Sequence, residues 1–200
     1  MNISHEIRTP MTLIISPIMS LLQSDKDPQR IALYTTIKRN SERILNLINQ
    51  IMDLRKIEKD QMPMHPEPLE MIGFINEIYQ LFEQQAINKS ISFTFSHAKE
   101  NIMAFVDHSN FEKILVNLLS NAFKYTKPGG KIDIKIEDDN EMMTITVKDS
   151  GVGIPPEHLP HIFDRFYSDT HISKGEHSFH LGTGIGLDLT NQLVLLHNGS

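Results

Sequence analysis

The chain has 200 residues, 40% of them hydrophobic and 22% charged, with a formal net charge of −6. That length suits one large or two small soluble domains, and the acidic balance argues against a nucleic-acid surface. With no cysteine, disulfides and cysteine-ligated zinc are excluded and a reducing compartment is compatible. No apolar run approaches the ~18 residues of a membrane span, and the N-terminus lacks the basic-then-apolar layout of a signal peptide.

From the start, Ile7, Met11, Ile14, Ile18 and Leu21 recur in steps of four and three, a heptad stripe that predicts a helix. Ser24-Asp25-Lys26-Asp27-Pro28 breaks it. Asp27 is a good N-cap and Pro28 suits the first position of a second helix. Leu33, Ile37, Ile44, Leu47, Ile51 and Leu54 carry that helix to about Lys59, with Asn40 in the missing heptad position. The three prolines between Met62 and Pro68 end it. Two narrow apolar stripes cannot bury each other fully. The hairpin therefore packs either on the rest of its own chain or, more economically, on a second hairpin as a four-helix bundle. At ~100° per residue, His5 falls roughly 160° from the centre of the first stripe and points away from the core. Pro10 lies inside the helix, frees the carbonyl of Glu6 and bends the axis near His5.

Beyond the prolines the pattern becomes mixed α and β. Residues 71–88 read as an amphipathic helix. Residues 91–95 and 102–106 read as short strands. Asp107 or Ser109 caps a helix over 110–125. Residues 131–136 and 143–148 alternate as a hairpin joined by an acidic turn. An irregular stretch runs from Ser150 to Thr183, and a helix from Gly184 to His197 ends the chain. Helices mixed with an antiparallel hairpin predict a two-layer α+β sandwich.

Three clusters carry chemistry. Asp149-Ser150-Gly151-Val152-Gly153-Ile154-Pro155 follows a strand; its carboxylate suits an exocyclic amine and its glycines let backbone approach a flat base. Gly182-Thr183-Gly184-Ile185-Gly186-Leu187 opens the last helix, where free N–H groups and the helix dipole favour an anion, phosphate above all. Asn117, Asn121 and Lys124 share one face of the 110–125 helix, two amides and an ammonium that suit Mg²⁺ and phosphate oxygens. Read alone, each has an ordinary alternative: a turn, a hinge that caps a helix, a solvated face. Phe163-Asp164-Arg165-Phe166-Tyr167 and the polar run to Leu181 have the composition of a lid over a ligand. His161, His171, His177 and His180 match no zinc spacing.

Taken together and in order, these residues resemble a bacterial sensor histidine kinase. Ser4 to Pro10 is similar to the family's H box and Asn117 to Thr126 to its N box. Asp149 to Pro155 and Gly182 to Leu187 are similar to its two glycine boxes, and Phe163 to Phe166 to its F box. The wording of these motifs is most similar to hybrid kinases that also carry receiver domains. The resemblance implies a helical hairpin, residues 1–62, forming a dimeric four-helix bundle. A linker over 63–66 and an ATP-binding domain of the Bergerat type over 67–200, truncated at its C-terminus, would follow.

It also implies roles. His5 attacks the γ-phosphate of ATP, Glu6 accepts or orients the proton on its other ring nitrogen, and Thr9 positions water for dephosphorylating a partner. Asn117 and Asn121 hold Mg²⁺ and phosphates, with Lys124 and Tyr125 near phosphate or ribose. Asp149 reads adenine beside Gly151, Gly153 and Ile154. Gly182, Thr183, Gly184, Gly186 and Leu187 complete the nucleotide site. Implied partners are a second copy of the chain and a response regulator receiver domain, separate or fused, with no nucleic acid. The segment would be cytoplasmic, joined to an inner-membrane sensor only through N-terminal parts outside it. The competing readings are a gyrase- or chaperone-type ATPase and a non-catalytic or phosphatase-only scaffold. Two departures stand out: Asp188 occupies a place where relatives often have a small residue, and the lid's phosphate-facing cation is either Arg165 or Lys174.

Overall fold

The computed structural model describes residues 3–139, 141–167 and 183–200, with residues 3–5 described by their backbone. The chain divides between Met62 and Pro63 into two compact units.

The first unit is a helical hairpin. Helix α1 spans Ile3–Ser24 and contains Pro10 and also Pro17. Helix α2 spans Pro28–Glu58, with Asp27 accepting from the amides of Gln29 and Arg30 and Pro28 in the first turn. Asp25 braces the turn: it accepts from Arg30 Nε at 2.7 Å and from the amide of Asp27 at 2.9 Å. The Arg30 guanidinium holds the Asp25 carboxyl well below the usual carboxylate range. Only part of the stripe is covered. Met11, Ile18 and Leu54 are buried, whereas Ile14, Leu21, Ile37, Ile44 and Ile51 are exposed.

The second unit carries two small sheets. Strand β1, Glu67–Glu70, pairs antiparallel with β3, Met103–Val106. Strands β2 (Ser92–His97), β4 (Lys131–Asp138) and β5 (Met143–Asp149) form a three-stranded sheet in the order β2-β4-β5. The β2–β4 pair is parallel and the β4–β5 pair antiparallel. The parallel pair needs a crossover, supplied by β3 and helix α4, His108–Tyr125. Helix α3, Met71–Lys89, starts at Glu70, whose carboxylate caps the amides of Ile72 and Gly73. A final helix, α5, spans Gly186–Leu196.

Alternation on β4 builds the core. Ile132, Ile134 and Ile136 are fully buried, and each such side chain contributes roughly 2 kcal/mol. They meet Met71, Ile75 and Ile78 of α3 and Leu115, Leu119 and Phe123 of α4 in one cluster. Phe123 stacks on Phe82 at 5.3 Å and meets Phe93 edge-on at 5.1 Å. One layer of sheet and one of helix result, with α5 packed beside α4.

The structure differs from expectation in three places. Strand β1 is absent from the sequence reading, because its four residues carry Pro68 and one large apolar side chain. The last helix begins at Gly186 rather than Gly184. Gly184 has φ +65, and its carbonyl accepts from the amide of Phe166 at 2.8 Å, which keeps it out of the helix. The stretch after Ser150 contains a 3-10 turn at Leu159–His161.

Candidate nucleotide site

One face of α4 belongs to the core and the other to a cavity of about 430 Å³. Leu115, Leu119 and Phe123 point into the core, so Asn117, Asn121 and Tyr125, one turn apart on the opposite side, line the cavity. Asn117 Nδ2 donates to Thr190 Oγ1 of α5 at 2.7 Å. Lys124 does not line the cavity. Its ammonium donates to Tyr125 Oη at 2.6 Å and lies 4.3 Å from the centre of that ring.

A second wall follows β5. Asp149, Gly153 and Ile154 line the cavity with Val147 and Val152. Asp149 Oδ1 accepts from the amide of Gly151 at 2.8 Å. Gly151 does not line the cavity, but it holds the turn. A Cβ there would lie 2.6 Å from that carboxylate oxygen and 2.7 Å from the carbonyl oxygen of Tyr125. Gly153 has φ +70, a left-handed backbone that glycine adopts without penalty.

Thr183, Gly184, Gly186 and Leu187 form a third wall, and Ile162, Phe163 and Tyr167 a fourth. Among the described residues helix α5 opens without a side-chain cap, which suits its first N–H groups to an anion. A Cβ on Gly186 would stand 2.4 Å from Asn117 Oδ1, so this glycine leaves that amide oxygen its place. Asn117 and Asn121, both on the cavity wall, carry hard amide oxygens of the kind a divalent cation takes. Among the described residues, no group of three or more His, Cys, Asp or Glu side chains is placed to hold a metal alone.

Two of the residues singled out in the sequence meet. Arg165 Nε donates to Asp188 Oδ2 at 3.0 Å, and the Asp188 side chain is 9% exposed. Arg165 is thus engaged by α5. Lys174 and Gly182, with the rest of the polar run from Ser168, lie outside the described residues. So do His171, His177 and His180. His161 pairs with Asp164 at 2.7 Å, and His158 Nδ1 bonds Tyr167 Oη.

Of the expected site residues, Asn117, Asn121, Tyr125, Asp149, Gly153, Ile154, Thr183, Gly184, Gly186 and Leu187 surround one cavity. His5, Glu6 and Thr9 belong to α1 in the other unit. Glu6 and Thr9 are exposed, while the His5 side chain lies outside what is described. Sequence reasoning missed the apolar lining from Leu118, Ala122, Val147 and Val152, and the bond to Thr190. The first are ordinary hydrophobic positions, and Thr190 carries no signal until α5 is seen beside α4.

Residues 1–60 match the family described as His Kinase A (phospho-acceptor) domain. Residues 106–200 match the family described as Histidine kinase-, DNA gyrase B-, and HSP90-like ATPase. Histidine kinase P4 of Formosa agariphila is 36% identical over 200 residues, all of this chain and 15% of that protein. Sensor protein SrrB of Staphylococcus aureus is 29% identical over 203 residues, again all of this chain and 34% of that protein. The chain therefore spans a minor part of both curated relatives. The catalytic domain of histidine kinase ThkA, in a nucleotide-free form, is 30% identical, with a TM-score of 0.58 over 66% of this chain and 82% of that one. ThkA in complex with response regulator protein TrrA shares the fold at 24% identity and a TM-score of 0.66, covering 98% of this chain and 54% of that one. A phospho-acceptor hairpin and an ATPase-type sandwich thus follow each other in one chain, which belongs to the sensor histidine kinase family.

Proposed function

We propose that the chain is the catalytic core of a two-component kinase that phosphorylates His5 from ATP and passes the phosphoryl group to an aspartate of a response regulator receiver domain. The observation that carries this reading is the convergence of Asn117, Asn121, Asp149 and Thr183 to Leu187 on one cavity, in a chain whose other unit is a phospho-acceptor hairpin.

Asp149 accepts from the exocyclic amine of adenine, with Gly153 giving the base close access. The uncapped start of α5 receives the phosphates. Asn117 and Asn121 would hold Mg²⁺ with those phosphates, and the ion would supply charge neutralisation. Lys124 orients Tyr125 towards ribose or phosphate through the bond it donates to the phenol. His5 attacks as the neutral imidazole. An N–P bond forms at one ring nitrogen, the bond between the γ-phosphorus and its bridging oxygen breaks, and ADP leaves. Glu6 accepts a hydrogen bond from the N–H on the other ring nitrogen and takes that proton as the N–P bond forms, so the phosphorylated ring is left neutral. Positioning and charge neutralisation supply most of the acceleration. Thr9 orients water for dephosphorylating the regulator.

The apolar residues left exposed on the hairpin, Ile14 and Leu21 on α1 with Ile37, Ile44 and Ile51 on α2, support a dimeric four-helix bundle. Response regulator binding by a kinase of this fold, ThkA with TrrA, supports the same class of partner here. No helix among the described residues is long and apolar enough to cross a membrane.

The test is incubation with γ-labelled ATP and Mg²⁺. Label that is acid-labile, alkali-stable and absent from His5→Gln is expected. Label persisting in His5→Gln would overturn the assignment of the phosphoacceptor.

A further inference from the structure

Asp188 is a buried carboxylate in the first turn of α5. It follows Gly186 and Leu187, which line the nucleotide cavity. Left bare there, it would oppose any polyphosphate drawn to the helix N-terminus, since two like charges at short range in a partly desolvated site repel strongly. It is not bare: Arg165 Nε lies 3.0 Å from its Oδ2. Arg165 comes from the segment that carries Phe163 and Tyr167, which also line the cavity. The same segment is joined to the glycine turn by backbone, with the Phe166 amide donating to the Gly184 carbonyl at 2.8 Å. Phe166 holds φ +65 to do so. A Cβ on Gly184 would stand 2.4 Å from the Phe166 carbonyl carbon. Two walls of the cavity are therefore joined both by backbone and by this ion pair.

We propose that Arg165 is a positioning residue that masks Asp188, so that the start of α5 can accept the charged phosphates of the nucleotide. This rests on the nucleotide-binding reading above. The effect must scale with ligand charge. It acts on ATP, weakly on adenosine, and disappears when Asp188 loses its charge. A purely structural brace would move both ligands alike. A direct contact from Arg165 to phosphate would not be repaired by changing Asp188.

The test is calorimetric titration of the whole chain with ATP and with adenosine. The variants are Arg165→Ala, the milder Arg165→Gln, Asp188→Asn and the double Arg165→Ala/Asp188→Asn. Arg165→Ala and Arg165→Gln should weaken ATP about tenfold, the effect of roughly one unmasked charge, and adenosine less than about twofold. The ATP loss should shrink as salt is raised. Asp188→Asn should bind ATP more tightly than wild type, and the double variant should recover to within about threefold of wild type. Equal loss of both ligands, unchanged ATP binding in the arginine variants, or a double variant as weak as Arg165→Ala would each overturn the inference while leaving the nucleotide site standing. A wild-type chain that binds neither ligand would overturn the nucleotide reading itself.

Discussion

Asn117 Nδ2 donates to Thr190 Oγ1 at 2.7 Å, tying the middle of α4 to the second turn of α5. Thr190 is buried and Asn117 half-buried, so the bond is sheltered from water and fixes which way the amide faces. With its nitrogen turned to Thr190, Asn117 keeps its oxygen beside Gly186, at the cavity. Thr190→Val keeps the volume and removes the acceptor. The amide then loses its orientation, and the cost should be that of one net hydrogen bond, about 1 kcal/mol or roughly fivefold in affinity. It should show in titration of ATP with Mg²⁺ and be smaller with EDTA present, because in the proposed function the oxygen is the group held for the cation. Equal affinities for the two proteins in Mg²⁺ would remove Asn117 from that role.

The parts of this molecule readable from its residues are those in which local chemistry and periodicity agree. Asp27-Pro28 predicts the start of α2 because an acceptor and a ring without N–H both suit a helix N-terminus. Ile132, Ile134 and Ile136 predict β4 because alternation every second residue needs one buried face. The glycine clusters around Gly153 and Gly184 were visible for their backbone freedom. What was hidden is tertiary. Strand β1 is too short to show a period and exists because β3 lies beside it. Gly184 reads as helix until Phe166 is seen bonding its carbonyl. Asp188 reads as a liability until Arg165, 23 residues earlier, is found against it.

Thr126 ends α4 with its hydroxyl oxygen buried and, among the described residues, without a hydrogen-bond partner. Its methyl group is well used, since a Cβ on Gly130 would stand 2.4 Å from it. Thr126→Val keeps that methyl and replaces an unsatisfied hydroxyl by a second one. Stability should rise by about 1 kcal/mol, read as a melting point of the sandwich unit higher by roughly 3 °C. A fall in the melting point would mean that the hydroxyl has a partner in solution.

Asp107 joins three segments of the sandwich unit. Its carboxylate caps α4 through the Asn110 amide at 2.9 Å and accepts from the His65 amide at 2.8 Å. Its own amide donates to His197 Nε2 at 3.1 Å. Burial opposes ionisation, but the bonds from Asn110 and His65 outweigh it and hold the carboxyl below the usual carboxylate range. A depressed carboxylate contributes stability that is complete above its unfolded value, about 3.9, and is lost as pH falls through the lower folded value. Asp107→Asn keeps a cap oxygen and loses the charge. Its unfolding free energy from urea titration should lie about 1 kcal/mol below that of wild type at pH 7, the difference between charge-assisted and neutral hydrogen bonds, and the gap should close below about pH 4. A gap unchanged between pH 7 and pH 3 would show that the charge contributes nothing.

Ile37, Ile44 and Ile51 recur every seven residues along α2 and are 38%, 46% and 44% exposed in the single hairpin. A monomer gains nothing by keeping three isoleucines in line at a surface, whereas a second hairpin would bury them at roughly 1.5–3 kcal/mol each. Ile44, in the middle of the row, is the position at which a charge does most harm, because an unpaired carboxylate would be forced into the centre of the bundle. Wild type should sediment at twice the chain mass and Ile44→Glu as a monomer. Leu13→Glu is the control. Leu13 is 69% exposed and stands off the heptad stripe, so the same charge there should leave the dimer intact. Nucleotide titration of both variants reports on the sandwich unit and separates loss of the dimer from loss of the fold. A dimer that survives Ile44→Glu, or that fails equally in Leu13→Glu, would show that this row of isoleucines is not the interface.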